Sequence, residues 1–113
     1  MRQAGILAAA GIYALDHNLE RLAEDHANTR HIAERLATSR NVELDLTTVQ
    51  TNILVFRLRP DAPDAATVVR RARERGVLIF DFGPRTVRAV THLDVSRAQI
   101  DRAADAITAA LSA

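Results

Sequence analysis

The first third of the chain carries apolar residues at three- and four-residue steps, from Ile6 to about Leu36. This spacing predicts helix. Asp16-His17-Asn18 interrupts the pattern with side chains that cap helices well, so we expect a kink or break there. The part before the break is apolar on nearly all sides and needs cover that a small domain alone does not supply. The predicted apolar stripe, with a half-buried histidine at its end, consists of Ile12, Leu15, Leu19, Leu22 and His26.

After Asn41 the period of the pattern changes from that of a helix to that of a strand, in which apolar and polar residues alternate. A helix is predicted from the cap Asp64 to Gly76, and another begins at the capping-box spacing Ser96-Arg97-Ala98-Gln99. Around them the pattern predicts four strands, which are residues 42–46, 51–58, 77–80 and 86–90.

These elements predict an α+β fold, with a small, mostly antiparallel sheet that has helices on one face and is preceded by a long, kinked helical segment. We expect a single domain over residues 1–113, in which 1–38 form a helical linker or interface segment and 42–113 form a β-β-α-β-β-α unit.

Composition narrows the function classes. The net charge of +1 argues against nucleic acid or an anionic membrane as partner. The absence of cysteine predicts a reducing, cytoplasmic location, and no histidine pair has the spacing of a helical zinc site, so we expect no metal. All 15 basic residues are arginine. No side chain in these residues can therefore form a Schiff base.

Arg88 is the most informative single residue. It lies between Val87 and Ala89 in a predicted strand and should point to the opposite face from both. The planar guanidinium matches a carboxylate with two parallel hydrogen bonds. An ordinary exposed or internally paired arginine is the alternative. Arg85, which follows Pro84 in a turn, is a weaker candidate, and the basic run 70–75 is interpreted as a solvated helix face.

Two strings carry a family resemblance. MRQAGILAAAGIYALDHNLERLAEDH at the start resembles the beginning of the C-terminal region of low-specificity L-threonine aldolases, and VRAVTHLDVSRAQID resembles the end of the same proteins. QTNILVF and RARERGVLIF lie between them in the family's order. The resemblance covers essentially the whole chain and implies the C-terminal small domain of a fold-type I pyridoxal-phosphate enzyme.

The resemblance implies an aldehyde-lyase that cleaves threonine, allo-threonine and related β-hydroxy-α-amino acids to glycine and an aldehyde. It implies that Arg88 binds the substrate α-carboxylate and that Arg2 lies near the cofactor phosphate or a subunit interface. It also implies an upstream cofactor-binding domain, which carries the lysine, and a homo-oligomer, tetrameric when intact. Met1 matches an internal methionine of the family, so we expect a fragment that is inactive alone. A stand-alone, non-enzymatic module for carboxylate binding or assembly is the alternative.

Overall fold

The computed structural model describes residues 1–112. Four α-helices, a short 3-10 turn and four strands follow one another along the chain. In order they are α1 (Ala4–His17), α2 (Leu22–Ala37), β1 (Val42–Glu43), the 3-10 turn Leu46–Thr48, β2 (Ile53–Leu58), α3 (Ala65–Glu74), β3 (Phe80–Asp81), β4 (Thr86–Val90) and α4 (Arg97–Leu111).

The four strands form one sheet in the order β1-β2-β4-β3, and every neighbouring pair is antiparallel. Helices α2, α3 and α4 pack on one face of it. The alternation of β2 buries Leu54, Phe56 and Leu58 on that face, where they meet Val87 and Ala89 of β4. The predicted α+β fold, with helices on one face of an antiparallel sheet, is confirmed.

The predicted break in the N-terminal helical segment is also confirmed. Helix α1 ends at Asn18, whose backbone N–H donates to the carbonyl of Ala14. No residue of α1 is buried, and the helix extends from the packed part of the chain as an arm. The radius of gyration is 16.1 Å, whereas a compact chain of this length has about 13 Å. The arm therefore lies outside the core.

Helix α2 buries a different face from the one that the apolar stripe indicated. His26 and Leu22 are exposed, so the prediction of a half-buried His26 is wrong. The buried face begins with three polar residues and continues into the core as Ile32, Ala33 and Leu36. The three polar residues are Asp25, Asn28 and Thr29.

A buried hydroxyl pair explains why a polar face of α2 can pack inward. Thr29 Oγ1 and Thr91 Oγ1 lie 2.7 Å apart, and both hydroxyls lie within 2.9 Å of the backbone carbonyl of Asp25. The Asp25 carboxylate accepts two hydrogen bonds of 3.1 Å from the guanidinium of Arg21. Because hydrogen bonds satisfy these groups, burying them costs little, whereas the Nδ2 of Asn28 on the same face is buried without a partner in the described residues.

Three of the predicted strands are shorter in the structure, and the second of them begins at Ile53 rather than at Thr51. The first ends at Glu43 because the side chain of Asp45 accepts a hydrogen bond of 2.9 Å from the N–H of Thr47, which turns the backbone into the 3-10 turn. The third begins only at Phe80. Before it, the N–H of Val77 donates to the carbonyl of Ala72 and closes the end of α3 around Gly76, whose φ is 78°.

The predicted starts of α3 and α4 are confirmed by their caps. Asp64 accepts a hydrogen bond of 2.8 Å from the N–H of Thr67, and the contacts with Thr67 lower the pKa of Asp64 below its ordinary value. Ser96 and Gln99 form a reciprocal capping box at the start of α4. None of the helices in residues 1–112 is long and apolar enough to cross a membrane.

Candidate functional site

The face of the sheet opposite the helices is open and presents Arg88 at its centre. The register of the sheet sets Arg88 of β4 directly opposite Val55 of β2 on one side and Phe80 of β3 on the other. Directly opposed residues project to the same face. The predicted orientation of Arg88, away from the buried Val87 and Ala89, is therefore confirmed.

Apolar side chains surround Arg88 without covering it. Phe80 is 70% exposed, Val55 is 42% exposed, and Ile53 and Val90 form an opposed pair on the same face. Arg88 itself is half-buried and forms no hydrogen bond or ion pair with another residue of the described chain. Its guanidinium is thus surrounded by apolar groups and keeps its donors available for an external anion.

Arg57, which the sequence pattern did not single out, lies on the same open face. It opposes Thr86, two residues from Arg88 along β4, and Glu43 of β1 opposes it on its other side. The period-two alternation of β2 already sets Arg57 on the face of Val55. What the sequence lacked was the pairing of β2 with β4, which brings Arg57 to the diagonal of Arg88.

Arg85 has a structural role that excludes it as a ligand-binding residue in this conformation. Its guanidinium donates hydrogen bonds to the carbonyls of Arg59, Pro60 and Ala62, at 3.0, 2.7 and 2.7 Å. These bonds hold the loop between β2 and α3 against the start of β4. The preference for Arg88 over Arg85 thus has a physical reason.

Arg2 lies at the free end of the α1 arm, one residue before the N-cap Gln3. It is exposed, and no hydrogen bond or ion pair joins it to residues 3–112. The structure does not bring Arg2 together with Arg88 through any such contact. The role of Arg2 at a cofactor phosphate or a subunit interface stays a prediction.

The chain does not offer a complete site for a pyridoxal-phosphate cofactor or for a metal. The sequence has no lysine, so no side chain can hold the aldehyde of the cofactor as an imine. Within residues 1–112 no three His, Asp or Glu side chains come close enough to hold a metal ion. Arg88 is the side chain on the open sheet face whose free guanidinium would suit an external anion.

Comparison with protein families decides the relationship. A family model described as beta-eliminating lyase matches residues 1–59, which is more than half of the chain. The chain belongs to the beta-eliminating lyase family. The match includes the MRQAG string, the α1 arm and β2 of this family member.

Curated relatives of this lyase-family chain include threonine aldolases. It is 48% identical over 100 residues to the low specificity L-threonine aldolase of Escherichia coli strain K12, a stretch that covers 88% of this chain and 28% of that protein. It is 28% identical over 101 residues to low-specificity L-threonine aldolase 1 of Arabidopsis thaliana, again covering 88% and 28%. The predicted resemblance is confirmed, and the chain spans little more than a quarter of the length of these relatives.

Solved structures with a similar fold include aminotransferases. Ornithine delta-aminotransferase of Plasmodium falciparum superposes with a TM-score of 0.62 at 17% identity, covering 81% of this chain and 24% of that one. The ornithine aminotransferase of Plasmodium yoelii gives the same TM-score at 15% identity. At such identities the likeness shows the fold alone, an α+β arrangement shared with about a quarter of each aminotransferase chain.

Proposed function

We propose that this chain is the part of a pyridoxal-phosphate-dependent L-threonine aldolase that binds the α-carboxylate of the amino-acid substrate, through Arg88. In the intact enzyme the reaction would cleave threonine, allo-threonine and related β-hydroxy-α-amino acids to glycine and an aldehyde. The bound cofactor would supply the electron sink for that cleavage. The lysine that holds the cofactor would come from the cofactor-binding domain, which we expect upstream.

The observation that carries the proposal is the unpartnered guanidinium of Arg88 among exposed Val55, Val90 and Phe80. An apolar sheet face of this kind is stabilised when another part of the protein covers it. Once covered, an arginine without an anion would pay a large desolvation cost, whereas a carboxylate would satisfy it with two charge-assisted hydrogen bonds. Binding of the substrate carboxylate would therefore offset the cost of burying the Arg88 guanidinium.

The test uses a full-length enzyme in which these 113 residues replace the matching stretch of the Escherichia coli relative. We expect Arg88→Ala to lower kcat/KM for L-threonine by about 10- to 100-fold, because one charged hydrogen-bonded pair is lost. Binding of pyridoxal phosphate, followed by its absorbance, should stay unchanged. Arg88→Lys should restore part of the loss, since a lysine keeps the charge but not the paired geometry.

Arg57→Ala is the matched control, because it removes an arginine from the same face at a diagonal position. An equal loss of cofactor binding and of activity in Arg88→Ala would indicate a folding defect and contradict the proposal. If Arg57→Ala lowers kcat/KM for L-threonine as much as Arg88→Ala does, the assignment of the carboxylate to Arg88 is wrong. The 113-residue chain alone should cleave no threonine when pyridoxal phosphate is added, because the N-terminus is its one amine.

We also propose that α1 contributes to an interface within a homo-oligomer. Five of its large side chains are each between 60% and 72% exposed, namely Ile6, Leu7, Ile12, Tyr13 and Leu15. Apolar surface of this extent on a helix favours association. This surface would also serve the alternative, a non-enzymatic assembly module, and the activity of the chimeric enzyme separates the two.

A further inference from the structure

A gap in the sheet creates a cavity that the proposed function does not use. Strand β3 pairs with β4 only at Phe80 and Asp81, so residues 76–79 diverge from the second half of β4. The space between that segment, β4 and α4 is a cavity of about 390 Å³. Sites for small molecules are typically about 300–1,000 Å³.

The cavity has an apolar interior and a cationic rim. Five buried side chains form the interior, which are Ile32, Ile79, Ala89, Ile100 and Ile107. The cations of the rim are Arg75 and Arg102, the imidazole of His92 lies beside them, and no aspartate or glutamate lines the cavity. This distribution of charge complements a ligand that carries a negative charge on an apolar body.

Arg102 is the side chain best placed to bind that charge. It forms no hydrogen bond or ion pair with any residue of the described chain, so all its donors are available. One amino group of Arg75, by contrast, donates to the carbonyl of Arg71 at 2.9 Å. Arg88 lies outside the cavity lining, although its neighbour Val90 borders both the cavity and the open face of the sheet.

We propose that this cavity is a binding site for a small monocarboxylate with an aliphatic body. The carboxylate pairs with Arg102 at the rim, and the aliphatic chain lies against Ile79, Ala89 and Ile107. The guanidinium supplies direction and charge recognition, and the apolar interior supplies most of the buried area. The site depends on neither Arg88 nor the α1 arm, so it stands whether or not the aldolase proposal holds.

Octanoate is the probe, titrated into the 113-residue chain while backbone amide shifts are recorded by NMR. We expect saturable shifts at Gly76, Thr91 and Ala103, with a Kd of about 1 mM, which is ordinary for a ligand of this size. Arg102→Ala should raise the Kd about tenfold or more, the effect of losing one charged hydrogen-bonded pair. Ala103→Leu should also weaken binding, because it fills the cavity.

Three controls decide the outcome. Arg73→Ala removes a nearby exposed arginine of α3 that does not line the cavity, and it should leave the Kd unchanged. Octanol that binds as tightly as octanoate would overturn the anion site, and the absence of saturable shifts would overturn the cavity as a site. Loss of binding in Arg88→Ala but not in Arg102→Ala would place the ligand on the open sheet face instead. If Ala103→Leu does not fold, the Kd values of Arg102→Ala and Arg73→Ala still test whether the carboxylate binds at Arg102.

Discussion

Helices α1 and α4 have nearly the same length, 14 and 15 residues, and both are rich in alanine, isoleucine and leucine, yet only α4 is buried. Helix α4 buries six residues, whereas α1 buries none. The apolar residues of α4 lie on one side, with Asp101, Arg102 and Asp105 on the other; those of α1 lie all round. An amphipathic helix such as α4 can bury its apolar face within this chain. A helix that is apolar on all sides, such as α1, needs another chain or domain to cover it.

The largest expected difference between α4 and α1 is in the free energy of unfolding after a large apolar side chain is truncated. Ile107→Ala in α4 should lower the free energy of unfolding by about 2–5 kcal/mol, because the side chain is 1% exposed and leaves a cavity behind. Ile12→Ala in α1 removes the same atoms from a side chain that is 60% exposed, and the change should be within about 0.5 kcal/mol. Urea unfolding of both variants at low protein concentration measures the two values. Equal losses would show that α1 packs within the monomer.

For self-association, in contrast to stability, we expect substitutions in α1 to have a larger effect than substitutions in α4. We expect the chain to form oligomers as its concentration rises, which sedimentation velocity detects. Ile12→Glu combined with Leu15→Glu should shift the chain towards monomer, since two charges would be buried in the interface. Ala98→Glu combined with Ala109→Glu, at exposed positions of α4, is the matched control and should leave association unchanged. Oligomers that survive the α1 charges would remove the arm from the interface.

The smallest expected effects concern how helices begin, because α1 has no side-chain cap whereas α3 and α4 do. Ser96→Ala should cost about 1 kcal/mol at every pH, since a hydroxyl caps without titrating. The difference in stability between Asp64→Asn and the parent chain should be greatest above the unfolded pKa of Asp64 and should shrink as the pH falls below it. The folded pKa is lowered, so the stability that the carboxylate contributes is present above about 3.8 and is lost as the pH falls through the folded value. Urea unfolding at neutral pH and near pH 3 measures both, and a constant Asp64→Asn difference would contradict this linkage.

Local signals explain which elements the sequence could predict. The caps Asp64 and Ser96 and the stop at Gly76 lie within a few residues of the helix ends that they define, so α3 and α4 were predictable. The alternation in β4 was enough to orient Arg88. Each of these inferences needs only neighbours along the chain.

Contacts between distant residues explain what the sequence could not predict. The buried face of α2 depends on the hydroxyl of Thr91, which is 62 residues from its partner Thr29, so the apolar stripe pointed to the wrong side. The proximity of Arg57 to Arg88 depends on the register of β2 with β4, and the cavity beside β4 depends on where β3 stops pairing. No pattern in a single segment contains that information.

The hydroxyl pair of Thr29 and Thr91 has a mechanical consequence. Thr91 follows the last residue of β4, three positions beyond Arg88, and its hydroxyl is fixed to the carbonyl of Asp25 in α2 at 2.8 Å. Hydrogen bonds of this length break when their partners move apart by about an ångström. A displacement of α2 relative to the end of β4 by that distance would therefore break these contacts, so the position of the strand that carries Arg88 depends on the position of α2.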